Sequence, residues 1–113
     1  MKKLFIVTIL GFFGVSNVLA AGFNGPADKT SVIEALKRPD DSYVTVEGNI
    51  VKKVSSDKYL FKDATGTMTV EIDNEKWGNA DVSERDTLEL SGEIERKFNS
   101  VHLDVDIVKK LNK

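Results

Sequence analysis

Residues 59–73 read YLFKDATGTMTVEID and predict two short strands joined by a turn at residues 63–66. Apolar and polar side chains alternate on both sides of this turn, which is the period-two pattern of a half-buried strand. One face therefore carries the apolar residues Tyr59, Phe61, Met68, Val70 and Ile72. The opposite face carries Leu60, Lys62, Thr67, Thr69 and Glu71. Gly66 is able to take a positive φ in the turn.

The same alternation continues on both sides of this hairpin and predicts five strands in all. The first begins at Tyr43 and runs to about Val54, and the fourth begins at Leu88. In the fifth strand, the inward positions are expected to be Val101, Leu103, Val105 and Ile107. Gly48 and Gly92 interrupt the first and fourth strands, and a glycine within a strand is typical of a bulge or of a bend at a barrel corner.

A short helix is predicted ahead of the strands, because Thr30 or Ser31 can cap an apolar stretch that ends before Pro39. Five short strands must close or cover their edges, and a small barrel does so. A two-sheet sandwich is the alternative, but the chain is short for two full sheets. The predicted fold class is all-β with one short N-terminal helix, as a five-stranded OB-fold Greek-key barrel.

The first twenty residues, MKKLFIVTILGFFGVSNVLA, differ from the rest of the chain. Lys2 and Lys3 precede an apolar run and a Val18-Leu19-Ala20 segment, which is the pattern of a cleaved secretory signal. The expected organisation is a signal peptide at 1–20, an N-terminal loop at 21–29 and the OB-fold domain at 30–113. The alternative is an uncleaved anchor, but the apolar run is short for one, so we expect a periplasmic protein without stable membrane insertion.

Charge and cysteine content exclude several classes of function. The 113-residue chain has a net charge of −2, and loss of Lys2 and Lys3 with the signal would make it −4. Basic residues are not clustered, which argues against a nucleic-acid partner. The absence of cysteine excludes disulfides, thiolate nucleophiles and thiolate metal ligands.

The chain resembles the bacterial OB-fold (BOF) family, small exported proteins often described as stress-tolerance proteins. The resemblance covers nearly all of the mature chain and is carried by GFNGP (22–26), ALKRPDDSYVTVEGNI (35–50), YLFKDATGTMTVEID (59–73), the Trp77 loop, SGEI (91–94) and LDVDIV (103–108). One departure lies in the Trp77 loop. The family is expected to have a residue between the Trp and the Gly, whereas Trp77 and Gly78 are contiguous here. The resemblance implies a periplasmic OB-fold that binds a ligand other than nucleic acid, with envelope glycans such as peptidoglycan fragments as a reasonable class, and it implies no catalytic motif.

Catalytic and metal sites find little support in the residue types. His102 is the one histidine, and Asp104 shares its strand face, but no nucleophile elbow accompanies them. Asp104 with Asp106, or Asp40 with Asp41, could supply oxygens to a weak divalent-cation site, but no loop spaces ligands as an EF-hand does. We therefore expect no enzyme, no cofactor and no metal, with catalytic and metal-ligating residues assigned to none.

A binding module is the favoured interpretation. OB-folds bind ligands on the outer face of their second and third strands and on flanking loops. That surface gives the candidate ligand-binding residues Lys58, Leu60, Lys62, Thr67, Thr69, Glu71, Lys97, Phe98 and Asn99. Phe98 either stacks on a sugar ring or folds back to plug the barrel end, whereas Trp77 is expected mostly in the core.

The partner is expected to be an envelope glycan or a small ligand. An alternative from a different class is a modulator that acts through an envelope protein, such as an enzyme or a sensor, by an edge strand or by the 74–86 loop.

Overall fold

The computed structural model describes residues 28–112. The elements are β1 (Asp28–Lys29), α1 (Val32–Ala35), β2 (Tyr43–Lys53), β3 (Lys58–Asp63), β4 (Gly66–Glu71), α2 (Asn74–Trp77), β5 (Leu88–Lys97) and β6 (Ser100–Lys110). The five predicted strands are β2 to β6. The predicted signal peptide and residues 21–27 of the predicted loop lie outside the described residues.

The strand pairings run in a complete circuit. β2 pairs antiparallel with β3, β3 antiparallel with β4, and β4 parallel with β6 over residues 69–71. β6 then pairs antiparallel with β5, and β5 pairs antiparallel with β2. This order confirms the OB-fold Greek-key barrel. The circuit has one addition, since β1, expected within the N-terminal loop, pairs parallel with β2.

The barrel interior is filled by the apolar side chains that the alternation predicted. Phe61, Val70 and Ile72 are fully buried, and Met68 is almost so. The rest of the buried apolar core is Val32, Ala35, Val44, Val46, Leu88, Leu90, Ile94, Leu103 and Val105. Tyr59 and Trp77 pack against this core but are only partly buried.

Gly48 marks the point at which β2 changes its partner. Up to Gly48, the strand pairs with β5, and from Asn49 onward it pairs with β3. A Cβ atom on Gly48 would lie 2.1 Å from the carbonyl oxygen of Lys62. The close approach of two backbones at this barrel corner therefore requires glycine, as the mid-strand position predicted.

A β-bulge lies beside Gly92 and changes the register of β6. Ser91 pairs with Ile107, whereas Gly92 pairs with Val105, so Asp106 is the extra residue. Because one inserted residue reverses the faces beyond it, Ile107 is 56% exposed and Val108 packs against the core instead. The prediction that Ile107 faces inward is wrong for this reason.

Helix α1 covers one end of the barrel and is shorter than predicted. Ser31 is its N-cap and accepts a hydrogen bond from the Glu34 N–H at 3.2 Å. Two further contacts attach the helix to the β3–β4 turn. The Val32 N–H donates to an Asp63 carboxylate oxygen at 2.9 Å, and the Ile33 N–H donates to Thr65 Oγ1 at 3.0 Å.

The β3–β4 turn is held by Asp63 and not by a left-handed glycine. The Asp63 carboxylate accepts hydrogen bonds from the Thr65 N–H at 2.7 Å and from the Gly66 N–H at 3.2 Å. Among residues 28–112, positive φ occurs at Asp41 and Gly78, so the turn does not use the positive φ that Gly66 allows. The side-chain hydrogen bonds stabilise a turn with ordinary φ values.

Candidate ligand-binding face

The outer face of β3 and β4 is formed by three cross-strand pairs. Lys58 lies opposite Glu71, Leu60 opposite Thr69, and Lys62 opposite Thr67. The structure thus brings together all six candidate residues that were predicted on these two strands. Lys62 and Thr67 are exposed, and the other four side chains are half-buried. Hydroxyl, ammonium and carboxylate groups therefore lie side by side on this surface, and the half-buried Leu60 adds an apolar contact area between them.

The β5–β6 hairpin projects from the end of the sheet where Lys62 and Thr67 lie. β4 and β6 run parallel with Thr69 opposite His102, so the start of β6 at Ser100 lies towards the start of β4. Residues 98–99 form the tip, and Lys97, Phe98 and Asn99 are all exposed. Phe98 is 100% exposed, so it does not fold back to plug the barrel end.

His102 and two glutamates form a compact cluster beside the end of the β3–β4 face where Lys58 and Glu71 lie. His102 Nε2 lies 3.3 Å from Glu71 Oε1 and 3.2 Å from Glu95 Oε1. The three side chains come from β6, β4 and β5, and the strand register explains why they meet. Glu95 lies directly opposite His102 on β5. On β4, Thr69 lies opposite His102, and Glu71 is the next residue on the same face. Neither contact has hydrogen-bond geometry, and Nε2 is buried without a partner.

Further carboxylates surround this cluster and make its surroundings strongly acidic. Burial, and then the charges of Glu95, Glu71 and Asp73, raise the pKa of Asp104. Carboxylate oxygens of Asp57, Glu71 and Asp73 also lie within 4.8 Å of one another. Lys58 lies opposite Glu71 in the β3–β4 register, and its Nζ lies 3.9 Å from Asp57.

An acidic cleft of about 350 Å³ lies next to the cluster, with Asp73, Glu93 and Asp104 in its lining. Asp106 is at its edge and accepts hydrogen bonds from Lys76 Nζ at 3.2 Å and from the Tyr43 hydroxyl at 3.1 Å. These two hydrogen bonds, Lys76 first, lower the pKa of Asp106. Asp106 is thus paired with the Lys76 ammonium.

An aromatic cleft of about 400 Å³ lies between the β2–β3 hairpin and the loop after α2. The Tyr59 and Trp77 rings meet there edge to face, with centroids 5.4 Å apart. Lys53 Nζ lies 5.9 Å from the Tyr59 ring centroid. Tyr59 is expected in the core and Trp77 mostly in the core, and both are partly buried, packing on the core with one side facing this cleft.

The triad interpretation lacks its hydroxyl contact. Within the described residues, His102 Nε2 has no hydrogen-bond partner, serine included. The expectation that the protein is not an enzyme stays a prediction. Residues 28–112 include no helix long and apolar enough to span a membrane.

This cluster was not identified from the sequence, although the pairing of Glu95 with His102 could have been predicted. A two-residue turn at 98–99, with Lys97 opposite Ser100, places Glu95 opposite His102 by counting back along the hairpin. Glu71 joins through the parallel β4–β6 pairing, and no local pattern reveals a parallel contact between strands that are distant in sequence.

Comparisons with known proteins agree with this architecture. The family described as bacterial OB fold (BOF) protein matches residues 11–110. The chain is 43% identical to protein YgiW of Escherichia coli K12, with 99% of both chains covered. It is 36% identical to the calcium-regulated OB-fold protein CarO of Pseudomonas aeruginosa, covering 96% of this chain and 95% of that one.

Solved structures show the same fold. The structure of the hypothetical protein YgiW from E. coli superposes with a TM-score of 0.74 at 43% identity, covering 81% of this chain and all of that one. The telomere capping protein Ten1 of Saccharomyces pombe superposes with a TM-score of 0.60 at 12% identity, covering 74% and 80% of the two chains, which is a likeness of fold alone. From the extent of the family match and the identity to its relatives, the chain belongs to the bacterial OB-fold (BOF) family.

Proposed function

We propose that this protein is a non-enzymatic binding protein of the cell envelope that recognises glycan, such as peptidoglycan fragments, and contributes to stress tolerance. The ligand would lie on the outer face of β3 and β4 and against the β5–β6 hairpin. The observation that carries the proposal is the full exposure of Phe98 at the hairpin tip, between Lys97 and Asn99.

An exposed ring with polar neighbours suits a sugar better than it suits most ligands. The flat apolar ring can stack on the C–H face of a pyranose, while Lys97 and Asn99 hydrogen-bond to its hydroxyl groups. Lys62 and Thr67 lie at the same end of the barrel and extend the polar surface. The lysines can also pair with the carboxylates of a peptidoglycan stem peptide.

The charge of the face supports a ligand other than nucleic acid. Glu71 lies at one end of the β3–β4 face where an OB-fold would place an oligonucleotide, and Glu95 and Asp104 lie beside it on β5 and β6. Carboxylates at this position repel phosphates, and Lys58, Lys62 and Lys97 do not form the basic cluster that phosphate binding needs.

The glycan proposal is tested by measuring the affinity of soluble peptidoglycan fragments by calorimetry. The double variant Lys62→Ala/Phe98→Ala should weaken binding at least about tenfold, because aromatic anchors dominate such interfaces. The matched control Lys109→Ala/Leu111→Ala removes a lysine and an exposed apolar side chain at the far end of β6, and it should bind as the unmodified protein does. Equal affinity in both variants would contradict the proposed site.

The protein-partner alternative is separated from glycan binding by capture experiments on envelope extracts. A partner that is captured equally well after glycan digestion would favour the alternative. Capture that is lost on digestion would support the glycan proposal.

The proposed periplasmic location rests on the N-terminal sequence and has its own test. Expression of the full chain followed by fractionation and mass spectrometry should yield a periplasmic product that begins at Ala21. A full-length product in the membrane fraction would indicate an uncleaved anchor.

A further inference from the structure

We propose that Glu71, Glu95 and His102 form a binding site for one divalent transition-metal ion, for which Zn²⁺ is the best-matched probe. Three different strands, β4, β5 and β6, each contribute one ligand. The site goes beyond the glycan proposal and does not depend on it, because the metal can be tested with no other ligand present.

The spacing of the three ligand atoms suits a tetrahedral ion. His102 Nε2 lies 3.3 Å and 3.2 Å from the nearest oxygens of Glu71 and Glu95. Zinc bonds of about 2.0–2.2 Å in a tetrahedron separate neighbouring ligand atoms by about 3.3–3.6 Å. All three ligand atoms lie within 4.8 Å of one another. An ion can therefore enter with only small side-chain movements.

The state of His102 is a second and independent sign of a ligand. Its side chain is 12% exposed, and its Nε2 atom is buried with no hydrogen-bond partner. Buried side-chain nitrogens almost always have a partner, so an unpartnered one calls for an explanation. Nε2 lies close to two carboxylates in a geometry unsuited to hydrogen bonds, and a metal bond would satisfy its lone pair.

The charge around the cluster also favours a cation. Asp104 lies two residues from His102 on β6, and carboxylate oxygens of Asp57, Glu71 and Asp73 lie within 4.8 Å of one another, so negative charge is concentrated around the cluster. Lys58 lies opposite Glu71 in the β3–β4 register, and its Nζ lies 3.9 Å from Asp57 Oδ1. A bound dication would reduce the repulsion between the carboxylates.

The ligand set selects the class of ion. Calcium and magnesium take oxygen ligands, and calcium needs about six to eight of them. An imidazole nitrogen with two carboxylates instead suits zinc and its first-row neighbours. Three protein ligands leave a fourth position open, which water would occupy.

The full chain, freed of metal by a chelator, should be titrated with Zn²⁺ by calorimetry and by NMR of the His102 ring nitrogens. We expect one ion per chain, with a shift of the Nε2 resonance. His102→Gln and Glu95→Gln should each weaken binding at least about tenfold. The control Glu93→Gln removes the same charge two residues away on the same strand, and it should change the affinity by no more than about twofold.

Three results would overturn the site. Zn²⁺ binding that survives His102→Gln would place the ion elsewhere, for example at Asp57, Glu71 and Asp73. An equal loss in Glu93→Gln would show general charge attraction and not coordination. No binding, with His102 ring nitrogen resonances that do not change on addition of Zn²⁺, would remove the site. Circular dichroism of each variant establishes that it is folded.

Discussion

The inner and outer faces of β4 and β6 are held in different ways. On the inner face, Val70 and Leu103 are fully buried among apolar neighbours, where shape and volume decide the packing. On the outer face, Glu71 and His102 are half-buried, and their contacts follow from the register of three strands. We therefore expect the barrel to tolerate much variation on its outer face and little on its inner face and at its backbone crossings.

The largest effect is expected at the backbone crossing of β2 and β3. Gly48→Ala would place a Cβ atom 2.1 Å from the Lys62 carbonyl oxygen, and both backbones would have to move. We expect a loss of at least about 3 kcal/mol in the free energy of unfolding, measured by urea denaturation. The control is Gly66→Ala, where a Cβ meets nothing within 4 Å, and it should cost nothing or stabilise by about 0.5 kcal/mol. Equal losses of stability in the two variants would show that the close backbone approach at Gly48 does not require glycine.

A second comparison tests the bulge within one strand. Leu103→Ala removes a fully buried side chain and should cost about 2–5 kcal/mol. Ile107→Ala changes a side chain that the bulge turns outward, 56% exposed, and should cost less than about 1 kcal/mol. If the two losses of stability were equal, Ile107 would be in the core and the register of β6 would be wrong.

A third prediction concerns Asp63, which joins the β3–β4 turn to α1. Burial raises its pKa, but hydrogen bonds from Thr65, Val32 and Gly66 outweigh burial, so the pKa of Asp63 is lowered in the folded protein. A lowered folded pKa gives stability that is complete above about pH 4 and is lost as the pH falls through the folded value.

Asp63→Asn should therefore cost about 1–2 kcal/mol at pH 7, and this difference should shrink towards pH 2. Urea denaturation across this pH range measures it. Asp81→Asn, an exposed aspartate in the loop after α2, is the control, and its effect should be small throughout. A constant difference across the range would show that the Asp63 charge does not stabilise the turn.

The smallest effect on stability is expected at the hairpin tip. Phe98 is fully exposed, so Phe98→Ala should change the free energy of unfolding by less than about 0.5 kcal/mol. Thermal and urea denaturation measure this. A loss of 2 kcal/mol or more, of the order expected for a buried ring, would show that Phe98 packs on the barrel.

Most of the inner face could be predicted from the sequence because alternation is local. Phe61, Met68, Val70 and Ile72 follow from period two within one short stretch. The prediction that Ile107 faces inward failed because the apolar alternation of β6 continues in the sequence past the bulge. The position of the bulge is set by the pairing of β6 with β5. Gly92 on the partner strand indicated a bulge, but it did not indicate which residue of β6 would be the extra one.

The candidate site was only partly predictable. The residues of β3 and β4 that face each other follow from the position of one turn. The three outer pairs, Lys58 with Glu71, Leu60 with Thr69 and Lys62 with Thr67, could therefore be assigned from the sequence. The exposure of Phe98 depends on the orientation of the β5–β6 hairpin tip relative to the barrel. The amino-acid composition of the turn does not determine that orientation. The meeting of Glu71 with Glu95 and His102 requires the parallel β4–β6 pairing, which is a property of the whole barrel.

The central claim is that the outer face and the hairpin tip bind an envelope glycan. The most direct measurement is an NMR titration of the protein with soluble peptidoglycan fragments, which follows the backbone amide shifts. We expect shifts that cluster at residues 58–71 and 97–102. Shifts confined to the aromatic cleft around Trp77, or no shifts at fragment concentrations of about 1 mM, at which even weak binding of about −4 kcal/mol is detectable, would contradict it.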